Sequence, residues 1–86
     1  MMSVHKEITK HVEQVNSRVN HFKQLDQLRE SYIEEAILLC KAGENFSVDK
    51  INDVTEQMNE LARLGVVPSR KKVTKAMVVE FATRSI

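Results

Sequence analysis

The sequence predicts an all-α fold in which a long N-terminal helix packs against a shorter two-helix hairpin, assembled as a helical-bundle dimer. Three observations carry that expectation. Only two glycines and one proline interrupt 86 residues rich in Glu, Gln, Lys, Leu, Val and Met, a composition that favours long helices with few turns. Apolar residues recur from Val4 to Leu39 at a mean step of 3.5, the repeat of a left-handed coiled-coil seam. Stop and start signals then cluster in two places, between Gly43 and Ser47 and between Gly65 and Ser69.

The first helix is expected over residues 4–41. Ser3 can cap it, and its apolar positions are Val4, Ile8, Val12, Val15, Val19, Phe22, Leu25, Leu28, Tyr32, Ala36 and Leu39. The steps tighten between Val19 and Leu28, where a break would yield a four-helix bundle. Lys41 in the last turn faces the negative end of the dipole, and Gly43 can take the left-handed conformation that stops a helix.

A second helix is expected over residues 48–64. The Ser47 hydroxyl can accept an N–H of its first turn, Asp49 complements the dipole, and Phe46 with Ile51 forms a hydrophobic staple. Ile51, Val54, Met58 and Leu61 make one apolar stripe that stops at Gly65, with a Leu61–Val66 contact closing the end. Pro68 forces Val67 into extended backbone. Ser69 then caps a third helix over residues 70–84, with Val73, Met77 and Phe81 along one side.

These lengths raise a covering problem. A continuous first helix spans roughly 55–60 Å, the other two about 25 Å each. Either the first helix breaks, or its surplus seam pairs with a second copy. The second solution is favoured, with an interface that includes Val12, Val15, Val19 and Phe22.

One domain of residues 1–86 accounts for the length. The lone Cys40 lies in the apolar run 36–40 and reads as a small core residue, so no disulfide forms within the chain, which suits a reducing compartment. That run falls far short of the ~20 residues a membrane helix needs, and no signal-peptide core precedes it, so the expectation is a cytoplasmic protein without a membrane partner.

Charge is unevenly spread. Residues 1–25 carry four basic side chains against two acids, residues 26–60 three against nine, and residues 61–86 six against Glu80 alone. An acidic middle and a basic end can satisfy each other within one fold, across a dimer, or through separate partners.

Metal and catalytic chemistry find no footing. His5, His11 and His21 are spaced by six and ten residues, which does not stack imidazoles one turn apart, and Glu7 with His11 reads as a solvated pair. No nucleophile with a base, no Gly-rich phosphate loop and no zincin motif is present, so neither a cofactor nor an enzyme is expected.

The segment that breaks a local rule is Arg70-Lys71-Lys72 with Lys75. Cations in the first turn of the expected third helix face the positive end of its dipole, so something negative should lie nearby. The protein's own candidates are the acids between Asp26 and Glu35 or at Glu56 and Glu60. The external candidate is phosphate. In support of the latter, Leu61-Ala62-Arg63-Leu64-Gly65-Val66 followed by Ser69-Arg70-Lys71-Lys72-Val73-Thr74-Lys75-Ala76-Met77 resembles the core of bacterial helix-turn-helix regulators. That resemblance implies a helix whose first residues, here Arg70, Lys71 and Lys72, enter the major groove. Val67-Pro68 makes the turn longer than the family's.

From Val4-His5-Lys6-Glu7-Ile8-Thr9-Lys10-His11-Val12 to Leu64-Gly65-Val66-Val67-Pro68-Ser69-Arg70-Lys71-Lys72-Val73-Thr74, the chain also resembles the small uncharacterised YpbS-like proteins of bacilli, end to end. This implies a bacterial cytosolic protein and no particular mechanism. The residues favour a non-catalytic helical interaction module that self-associates through its first helix, with an unidentified protein partner left open. The alternative is a nucleic-acid-binding protein using a degenerate helix-turn-helix at about residues 55–78.

Overall fold

A computed structural model describes residues 2–65 and 67–84, with side chains from residue 13 onward. Three helices follow in order, α1 (Met2–Lys41), α2 (Asp49–Ala62) and α3 (Lys75–Arg84), and no strand occurs among the described residues. The molecule measures 64 × 19 × 17 Å, and its long dimension is that of α1, about 60 Å for 40 residues. α1 is unbroken through Val19 to Leu28. The tightened apolar spacing there changes which side chains are buried, not the path of the backbone.

α1 ends as its sequence dictates. Gly43 has φ +74°, the Gly43 N–H donates to the Cys40 carbonyl at 3.1 Å and the Glu44 N–H to that of Leu39 at 2.9 Å, the paired bonds of a Schellman stop. Ser47 Oγ accepts the Asp49 N–H at 3.1 Å and opens α2. At its far end Gly65, with φ +82°, donates its N–H to the Ala62 carbonyl. The contact expected between Leu61 and residue 66 lies outside the described residues.

The core forms two clusters along α1. Phe22 and Leu25 pack with Val54 and Met58 of α2, flanked by Tyr32, Leu61 and Val67. Ala36 packs with Ile51, Val73 and Val78, flanked by Ile33, Ile37, Cys40 and Phe46. Early α2 therefore meets late α1 and late α2 meets the middle of α1, an antiparallel pair. The staple residues Phe46 and Ile51 share the second cluster.

The expected two-helix hairpin is replaced by a different arrangement. α2 and α3 each pack on α1 and not on each other among the described residues. The third helix starts at Lys75 rather than residue 70, because residues 67–74 are held in non-helical backbone by α2. Thr74, not Ser69, is the cap: its Oγ1 accepts the Met77 N–H at 3.2 Å.

Candidate interaction surface

The hold on residues 67–74 comes from two asparagines on one face of α2. Asn59 Oδ1 accepts the Arg70 N–H at 2.7 Å, and its Nδ2 donates to the Arg70 carbonyl at 2.9 Å. Asn52 does the same for Val73, at 2.7 and 2.9 Å. Each carboxamide substitutes for a peptide group of a neighbouring strand. The spacing makes this work: seven helical residues rise about 10.5 Å, and three extended residues cover about 10 Å. Two donor–acceptor pairs on α2 thus fit two peptide units of the strap.

Between them lies Thr55, fully buried, whose hydroxyl donates to the Ile51 carbonyl and accepts from Arg29 Nε, both at 2.8 Å. The Arg29 guanidinium also donates to the Lys71 carbonyl at 3.0 Å. A single α1 cation therefore ties α2 and the strap together. The polar set Arg29, Asn52, Thr55 and Asn59 escaped sequence reasoning, although Asn52, Thr55 and Asn59 recur at steps of three and four beside the apolar stripe of α2.

The cations expected in the first turn of a helix are not in one. Arg70 lies with its guanidinium 5.4 Å from the centroid of Phe22 and 4.0 Å from an Asp26 carboxylate oxygen. At about one-third exposure for both partners that ion pair is weak, worth at most ~1 kcal/mol. Lys71 and Lys72 point to solvent without an ion-pair partner among the described residues. Lys75 does occupy the first turn of α3, its ammonium 6.0 Å from the Phe46 ring centroid. The dipole conflict inferred for Arg70, Lys71 and Lys72 is thereby removed. So is the helix-turn-helix geometry, since twelve residues, 63–74, separate α2 from α3 where that motif has three or four.

The four residues expected at a self-association seam divide. Phe22 is buried, 7% exposed, against Leu25, Val54 and Met58 of its own chain. Val15 and Val19 are half-buried and belong to neither core cluster. The Val12 side chain lies outside the described residues. A second apolar surface opens between α1 and α3, a groove of about 280 Å³ lined by Ile33, Ile37, Val73, Met77 and Phe81, with Arg29 at its edge. Met77 and Phe81 remain 47% and 58% exposed there.

Among the described residues no three His, Cys, Asp or Glu side chains converge to hold a metal ion, and Cys40 is a half-buried free thiol. The side chains of His5, Glu7 and His11 lie outside the described residues. No described helix is long and apolar enough to cross a membrane.

The family model described as a protein of unknown function, DUF2533, matches residues 2–84. The chain is also similar to the uncharacterized protein YpbS of Bacillus subtilis (strain 168), with 43% identity over 84 residues that cover 98% of this chain and 99% of the relative. No solved structure matches.

Proposed function

The chain belongs to the DUF2533 family of proteins of unknown function, and from that premise we propose that it is a non-catalytic helical interaction module that pairs with a second copy of itself through the N-terminal half of α1. One observation carries this reading. Among the described side chains both core clusters begin at Phe22 or later, whereas α1 begins at Met2. About 30 Å of helix therefore projects beyond the core. Its sequence keeps a coiled-coil repeat through Val15 and Val19, which a purely solvated helix has no use for. A free thiol and no disulfide support a reducing compartment, the cytoplasm.

Equilibrium sedimentation tests the proposal. The wild-type chain should show twice the 9.9 kDa monomer mass at micromolar concentration. The double change Val15→Glu and Val19→Glu would bury unpaired carboxylates at the seam and should weaken association at least ~100-fold, since each ~1.4 kcal/mol is tenfold. Its helix content should be kept. A wild-type monomer at every concentration would remove the reading.

Exposed Lys71 and Lys72 support nucleic acid as the second reading, now through an extended segment rather than a recognition helix. Retention on DNA that falls steeply with salt, and is lost when both become Gln, would favour it.

A further inference from the structure

Two apolar surfaces of α1 remain partly exposed, and helical geometry places them on one face. Val15 and Ile33 are eighteen residues apart, as are Val19 and Ile37. Eighteen residues make five full turns at 3.6 residues per turn, so each pair shares an azimuth about 27 Å apart along the axis. The projecting half presents Val15 and Val19. Further along the same face, Ile33 and Ile37 floor the groove that α3 walls with Met77 and Phe81. Between these two lobes the face is polar, because Asp26, Arg29 and the Arg70 guanidinium over Phe22 occupy it.

Charge divides at the same place. Residues 2–23 of α1 carry Lys6, Lys10, Arg18 and Lys23 against Glu7 and Glu13, a net +2. Residues 24–41 carry Arg29 and Lys41 against Asp26, Glu30, Glu34 and Glu35, a net −2. A parallel pair of helices would set each half against its own sign and leave the groove open. An antiparallel pair sets basic against acidic and apolar lobe against apolar lobe.

We infer that the chain forms an antiparallel dimer in which the projecting half of α1 from each copy lies in the α1/α3 groove of the other. This rests on the self-association proposed above and adds its geometry. With the dyad near Asp26, Val15 falls opposite Ile37 of the second copy, Val19 opposite Ile33, and Lys23 beside Glu30 on one flank. Each copy completes the other's groove, so the interface is two identical apolar lobes around a polar centre. Pairing of this kind is isologous and closes at two subunits.

Disulfide trapping in the full chain separates the geometry from the association. In a Cys40→Ala background, Val19→Cys and Ile33→Cys chains carrying different tags are mixed and oxidised, and Val15→Cys with Ile37→Cys forms a second, independent pair. A disulfide needs Cα atoms within about 7 Å. The expected result is a mixed disulfide in one or both pairs, and none when Val19→Cys is oxidised alone, because its two copies would stand roughly 20 Å apart. A Val19→Cys homodisulfide, or a sedimenting dimer that yields neither mixed disulfide, would overturn the antiparallel geometry and leave self-association standing. A monomer in sedimentation would overturn both.

Discussion

The two halves of α1 are one unbroken helix with opposite fates. From Phe22 to Cys40 the helix is clothed by its own chain, with α2 along one flank, the strap over Arg29 and α3 beyond. Before Phe22 none of the described side chains, residues 13–21, enters either core cluster. Helical periodicity is the same in both halves, so periodicity does not distinguish a face that the chain will cover from one it leaves uncovered. Distance does: α2 and α3 contain 14 and 10 residues, about 21 and 15 Å, against some 60 Å of α1.

The comparison predicts unequal responses to similar truncations. Met58 is fully buried against Phe22, and Met58→Ala should cost ~2–5 kcal/mol in denaturant unfolding. Val19→Ala, outside both clusters, should leave the unfolding of the isolated subunit nearly unchanged and act instead on association. Equal losses from the two would erase the distinction between the halves.

A smaller effect probes how the clothed half is held. Changing Asn52 to Ala leaves the N–H and carbonyl of Val73 without their partners, and Asn59→Ala does the same at Arg70, so each should cost ~1–3 kcal/mol. Thermal unfolding reads the loss, and amide exchange should show it concentrated in residues 69–74. The smallest effect concerns the projecting half. Lys23→Glu, at the base of that half, should weaken the dimer by roughly 1 kcal/mol or less per contact, and Glu30→Lys in the same chain should restore it. Sedimentation that moves the same way for the single and double variants would exclude that contact.

The sequence carries most of the helical framework in local signals. Gly43, Ser47 and Gly65 act at the ends where capping chemistry puts them, and the stripe Ile51, Val54, Met58 faces the core as its period requires. Local signals misled at Ser69, which has the chemistry of a cap but lies beside a helix whose asparagines bind extended backbone more effectively. That competition is tertiary, since Asn52 and Asn59 are 21 and 11 residues from the units they hold. The resemblance to a helix-turn-helix failed for the same reason. Of the surface, the half-buried apolar positions Val15 and Val19 are legible as periodicity, and Phe22 is legible as apolar but not as already covered. The groove was not legible at all, because it exists only once α3 is placed by Thr74.

Amide hydrogen exchange at two protein concentrations tests the contrast between the halves most directly. In the body, residues 22–62, protection should be high and change little between about 1 and 100 µM. In the projecting stretch, residues 13–21, it should be low at the dilute end and rise with concentration as the second copy covers the seam. Protection in residues 13–21 that is independent of concentration, whether high or low, would contradict the claim that this half of α1 is held by a second copy of the chain.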